Sequence, residues 1–185
     1  MSIGDLLIHL RIYIFSVGAT KIVPILRFGL GFFAVFLLLR GLGFMKHRGV
    51  FPYLRVREIL LIFEISLIVA VTLWGRTPKD VVVWDWKPLV SYVRVLQGKS
   101  MGLLAQIILN IIIFIPMGIL LPWCLKVCER YRYTLAIVFF ISISIEVLQG
   151  VTQIGSFEID DVINNLMGTG IGVMLYHVFV RRKKG

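Results

Sequence analysis

The chain has 185 residues, 58% of them hydrophobic, and a mean hydropathy of +0.91. A soluble domain of this length has no core large enough to hide so much apolar surface, which excludes a soluble globular enzyme or binding module and leaves lipid as the solvent. Twenty Lys and Arg against ten Asp and Glu give a net charge of +10, and because the basic residues fall mostly between apolar runs they fit loops facing headgroups, with no nucleic-acid partner.

Taken in chain order, Ile3 to Val17 is apolar but carries Arg11 near its middle. Placing that guanidinium at the bilayer centre costs roughly 2.5 to 3.5 kcal/mol, so residues 1–21 are expected to form an interfacial segment, with no removable signal peptide. Spanning a bilayer takes roughly 20 apolar residues, and five windows near that length are bounded by charges: Ile22 to Phe44, Ile59 to Gly75, Met101 to Trp123, Tyr133 to Gly150 and Asp161 to Val180. Glu64 lies inside the second window, where snorkelling or pairing with Arg40 is expected. Between the second and third windows, Pro88 at a first helical turn followed by Leu89, Val90, Val93 and Leu96 predicts a short amphipathic helix at the outer interface. Cys124 and Cys128, four apart after the third window, are expected on one helix face, as small residues rather than a zinc site.

The basic residues orient the bundle. Met45 to Glu58, the turn after Trp123 and the tail Arg181, Arg182, Lys183, Lys184 are rich in Lys or Arg and are assigned to the cytoplasm, while Val151 to Asp160 has none. The loop Arg76 to Ser100 breaks this pattern by its basic excess. The expected fold is all-α: a polytopic membrane helical bundle of about five transmembrane helices with N-terminal and extracytoplasmic interfacial helices, one domain over residues 22–185, in the plasma membrane of a bacterium with a cytoplasmic C-terminus.

Polar residues inside spans are expensive, and their default reading is functional. Asn110 lies in the outer half of the third span or near mid-membrane, ahead of Pro116 and Gly118. Ser142, Glu146 and Gln149 share one face of the fourth span near its outer end. Asp160 and Asp161 open the fifth span, where the helix dipole favours negative charge, and Asn164 and Asn165 follow one turn deeper. Topology brings Asn110, Glu146, Gln149, Asp160, Asp161 and Asn165 to one depth, an expected outward-facing polar pocket, with Arg76 as its counter-charge or as a headgroup contact. Glu146, Asp160 and Asp161 are the candidate metal ligands and a divalent cation the candidate cofactor. Acid–base work on a lipid headgroup and proton transfer fit the same residues. Gly168 and Gly172 are read as the surface on which two helices touch.

The blocks NIIIFIPMGILLPW, SISIEVLQG and GSFEIDDVINNLMGTGIG, in this order, resemble the VanZ-like family, whose name comes from a teicoplanin-resistance protein. The resemblance covers residues 61–176 and points to Asn110, Pro116, Gly118, Glu146, Gln149, Asp160, Asp161, Asn165 and Gly168. Departures are Asn164, Leu166 and Glu158, where the family usually has an apolar residue, a hydroxyl and Asp, and the absence of an Arg before the acidic block. The resemblance implies a multi-span envelope protein, some members of which lower susceptibility to teicoplanin or related lipoglycopeptides. Membrane lipids and lipid-linked or lipoglycopeptide amphiphiles are the expected partners. An intramembrane enzyme acting on a lipid-linked substrate is the alternative, although the chain lacks a His-containing catalytic constellation and an evident nucleophile.

Overall fold

The structure, a computed structural model, describes residues 56–73, 81–98 and 101–181. The first expected span, the N-terminal interfacial segment, Arg40 and Arg76 lie outside the described residues. In chain order the elements are α1 (Val56–Leu73), β1 (Trp84–Asp85), α2 (Val90–Leu96), α3 (Met101–Cys124), a 3-10 turn (Lys126–Glu129), α4 (Tyr131–Val151), β2 (Phe157–Glu158) and α5 (Ile159–Leu175), which runs on into a wider π turn (Tyr176–Arg181). The protein is an all-α membrane bundle.

Among the described residues, three helical stretches are long and apolar enough to cross a membrane: Gly102–Cys124, Tyr131–Val151 and Ile159–Val180. Each coincides with an expected span to within two residues at either end, because charged residues bound the apolar windows sharply. The second expected span forms α1, 18 residues carrying Arg57, Glu58 and Glu64. Large apolar side chains remain on the outside, Phe140 at 67% exposure and Phe179 at 64%. In water such a surface would drive aggregation; against acyl chains it is at rest.

The three long helices alternate in direction. α3 keeps its helix through Pro116 and Pro122, which a membrane helix tolerates where neighbours and local adjustment satisfy the freed carbonyls. At its far end Leu125 N–H donates to the Leu121 carbonyl at 2.8 Å, and the 3-10 turn reverses the chain. Cys124 closes α3 and Cys128 lies in that turn, so the two thiols do not share one helical face as expected; the helix stops between them. Both are free, and Cys128 joins the core cluster with Ile68, Phe114, Met117, Leu121, Val138 and Ile145.

α5 returns parallel to α3 and in direct backbone contact with it. A Cβ added at Gly168 would collide with the Ile111 carbonyl, one at Gly172 with the Ile115 carbonyl, and one at Gly118 with the Thr169 carbonyl and, at 2.9 Å, the Gly172 Cα. Small residues let two membrane helices approach until dispersion contacts and backbone dipoles act together. This pairing sets the depth of every polar residue on the two helices.

The segment of residues 81–98 folds across the end of the bundle where α3 and α5 begin. β1 and β2 form a two-residue parallel bridge, Trp84 opposite Phe157 and Asp85 opposite Glu158. Trp84 stacks on Phe157 at a centroid distance of 5.5 Å, and Trp86 packs against it tilted by 33° at 4.1 Å. Gly150 leaves room for the Trp84 ring, whose atoms would stand 2.9 Å from a Cβ there. The expected amphipathic helix is present as α2. Pro88 precedes it instead of occupying its first turn, because Leu89 takes a left-handed φ of 67° and cannot itself be helical.

Candidate functional site

Glu146, Gln149, Asp160, Asp161 and Asn165 gather at the end of the bundle covered by residues 81–98, and each is engaged by a different partner. Asp160, in the first turn of α5 and 2% exposed, accepts the Leu89 N–H at 2.6 Å on one carboxylate oxygen and the Ser91 N–H at 2.8 Å on the other. A left-handed non-glycine residue such as Leu89 is strained by roughly 1 to 2 kcal/mol, and Asp160 holds the amides on either side of that strain. The expected dipole cap of α5 is therefore also the anchor of α2, 71 residues earlier in sequence.

Asp161, one position on, faces α3 and accepts from Gln106 Nε2 at 3.0 Å. Glu146 on α4 accepts the backbone N–H of Glu158 at 2.9 Å, so it fixes the strand that leads into α5. Gln149 donates to the Thr72 carbonyl at the end of α1 at 2.8 Å, and Asn165 donates to Ser142 Oγ at 2.7 Å. Ser142, Glu146 and Gln149 are all buried on one face of α4, at the register read from their spacing. Asn110 is half-buried on α3, one helical turn below Gln106.

Two participants, Gln106 and Tyr92, carried no role in the site expected from the sequence. Gln106 was findable, since it is an amide inside a span four residues before Asn110 and on the same face. Asn164 accepts a hydrogen bond from the Tyr92 hydroxyl, which also stands 3.7 Å from Met167 Sδ. No local pattern links Tyr92 to a helix 72 residues later. Burial, and then the nearby Asp160 and Asp161 carboxylates, push the Tyr92 phenol above its ordinary value; a phenolate there would lose hydration and face two negative charges.

Two polar atoms in this region are buried with no hydrogen-bond partner: Asn164 Nδ2 and Asn165 Oδ1. One is a donor and the other an acceptor, on residues 0% and 3% exposed. Leaving such a group unmade in a low-dielectric interior is unfavourable by about 1 to 3 kcal/mol. Deeper in the bundle, Glu64 is 5% exposed with Oε1 also unpartnered; it is buried rather than snorkelling to the helix end.

The candidate metal ligands do not fit a divalent cation. Among the described residues no group of three His, Cys, Asp or Glu side chains is gathered closely enough to hold one. Asp160 spends both oxygens on backbone amides, and Glu146 and Asp161 turn toward different elements. The carboxylates act as tethers between helices and the covering segment, with an unpaired amide donor and acceptor among them.

No solved structure matches the chain. Protein VanZ of Enterococcus faecium is 37% identical over 75 residues, which is 40% of this chain and 46% of that protein, so the likeness spans about half of the relative. The VanZ/LLP1 family matches residues 59–180, which takes in every described helix but the first turn of α1. With three apolar helices among its described residues and the matched stretch covering most of its length, the chain belongs to the VanZ/LLP1 family as a membrane protein.

Proposed function

We propose that the protein works in the bacterial plasma membrane, with its C-terminus in the cytoplasm, and lowers susceptibility to teicoplanin or related lipoglycopeptides through the polar end of its bundle. That end would handle the headgroups of lipids or amphiphiles by hydrogen bonding. The observation that supports this reading is the gathering of Gln106, Glu146, Gln149, Asp160, Asp161 and Asn165 at one end of an otherwise apolar bundle. Membership of the VanZ/LLP1 family supports the link to resistance, as does the partial likeness to Protein VanZ. Residues 22–185 act as one membrane domain in this reading.

The test is Asn165→Val and Asp161→Asn in full-length protein, with membrane accumulation, teicoplanin susceptibility and lipid profile measured together. The expected result is normal accumulation, restored susceptibility and an unchanged lipid profile. Unchanged susceptibility in both variants at normal accumulation overturns the proposal. A chemical change in the lipids would instead point to an enzyme acting on a lipid-linked substrate.

A further inference from the structure

The short helix α2 presents a different chemistry on each of its sides, and its contacts fix where each side points. Ser91 marks the side turned to the bundle, since it is buried and its N–H lies on Asp160. Tyr92, about 100° further round, points deeper, because its hydroxyl reaches Asn164 and Met167, one and two turns beyond Asp160 on α5. Arg94 is exposed and stands about 160° from Tyr92, so it points away from the membrane interior. The remaining side carries Val93 and Leu96, roughly 140 to 160° from Ser91. Both are exposed, Leu96 at 87%.

The depth of that apolar side follows from the same contacts. The covering segment meets the tips of the long helices: Trp84 lies against Gly150, the Phe157 N–H donates to the Val83 carbonyl at 3.0 Å, and Asp160 holds Leu89. α2 therefore stands where α5 begins, with Tyr92 directed into the bilayer and Arg94 out of it. Val93 and Leu96 then face sideways, in the plane of the membrane, at the boundary between acyl chains and headgroups. Charge narrows the choice of neighbour. Residues 81–98 hold two exposed cations, Lys87 and Arg94, against one acid, Asp85, whose carboxylate accepts the Lys87 N–H at 3.2 Å. That excess is complementary to anionic headgroups, and Trp84 and Trp86 are rings of the kind that favour this level.

We propose that α2 docks on anionic phospholipid of the leaflet at this end, with Val93 and Leu96 against the upper acyl carbons and Arg94 and Lys87 on phosphate oxygens. The lipid-facing side and the Asp160-facing side belong to one short helix, so lipid contacts made only while α2 is seated add to the hold on Asp160. Anionic lipid thereby regulates how tightly the covering segment shuts the polar end of the bundle. This deepens the proposed function and rests on that reading for its biological role, though not for the docking itself.

The experiment uses the full chain in vesicles of phosphatidylcholine, with and without phosphatidylglycerol. Leu96→Cys in a Cys124→Ser background carries an environment-sensitive fluorophore. Nitroxides on the upper acyl carbons of the lipid are expected to quench it, and aqueous iodide is expected to leave it bright. In the unlabelled wild type, hydrogen exchange at the Ser91 amide should slow by about 30-fold when phosphatidylglycerol is added, the effect of two cations near an anionic surface. Lys87→Gln with Arg94→Gln should abolish that dependence. Quenching by iodide in place of the nitroxides overturns the proposal, since position 96 then faces water. Quenching by neither also overturns it, because a second copy or another part of the chain then covers α2. So does Ser91 exchange in wild type that ignores phosphatidylglycerol. Lipid docking observed with the Asn165→Val phenotype absent would sink the proposed function and leave the docking standing; the reverse outcome would sink only the docking.

Discussion

Asp160 joins two jobs that its position in sequence makes look like one. A carboxylate in the first turn of α5 interacts with the helix dipole wherever it points, but here both oxygens are committed to Leu89 and Ser91 amides. Asp160→Ala removes the acceptors and leaves two part-buried donors unmade, a local loss of about 2 kcal/mol. Hydrogen exchange at the Ser91 amide should then speed up by roughly 30-fold, with the α3–α5 interface unaffected; unchanged exchange would mean α2 is held elsewhere. Glu146→Gln should behave differently, because an amide oxygen still accepts the Glu158 N–H while the charge is gone, so folding is retained and any lost activity reports charge alone. Tyr92 gives a pH signature at the same scale. Its phenol is pushed up by burial first and by Asp160 and Asp161 second, so the folded state favours the neutral form. The stability this supplies is complete below the ordinary phenol value of about 10 and is lost as pH rises through the higher folded value. In an ultraviolet titration Tyr92→Phe should remove one tyrosine that ionises above the ordinary value; if no late-ionising component is lost, the hydroxyl is not where the structure puts it. None of these partnerships was legible in the sequence, because the partners of Asp160 and Tyr92 lie about seventy residues away and only the α3–α5 packing brings them together.

At the scale of elements the sequence was far more readable. The third span was expected from Met101 to Trp123 and is Met101–Cys124; the fourth was expected from Tyr133 to Gly150 and is Tyr131–Val151. Long apolar windows bounded by charges leave little freedom in where a membrane helix begins and ends. The β1–β2 bridge was invisible for the opposite reason: two residues give no period, and its register is fixed by aromatic stacking on Phe157 and by the space at Gly150. The depth of Glu146, Gln149, Asp160, Asp161 and Asn165 was legible from helical spacing, whereas their division into separate pairs was not. The glycines of α5 offer a direct test of this level. Gly168→Leu must push against the Ile111 backbone and should destabilise the folded protein by about 3 kcal/mol, the upper range for overpacking, seen as a lower melting temperature in detergent. Gly170→Ala, two residues along the same helix, should raise it, by about 1 kcal/mol from helix propensity. Equal responses at the two positions would contradict the packing of α5 on α3.

For the whole molecule, the parallel run of α3 and α5, with α4 antiparallel to both, puts all the tethers at one end and the 3-10 turn at the other. The far end holds Lys126, Arg130 and Arg132 around the α3–α4 turn and Arg181 at the close of the π turn. The connection between α4 and α5 at the tethered end holds no Lys or Arg. The proposed orientation, with short basic loops kept in the cytoplasm, would point the tethered end outward, against the bias of Lys87 and Arg94 on the covering segment. The two tendencies can be separated with single cysteines at exposed positions, Gln97→Cys beyond α2 and Val127→Cys in the 3-10 turn, in a Cys124→Ser background. Cys128 stays silent in this assay, since it is fully buried and burial pushes its thiol up, only partly offset by Thr134. A membrane-impermeant maleimide should label position 97 in intact cells and position 127 only after permeabilisation. The reverse pattern would turn the tethered end toward the cytoplasm, where an extracellular lipoglycopeptide could not meet it, and the resistance reading would fall with the orientation. Labelling of both positions from the same side would contradict the antiparallel path of α3 and α4 itself, because one crossing of α3 must separate them.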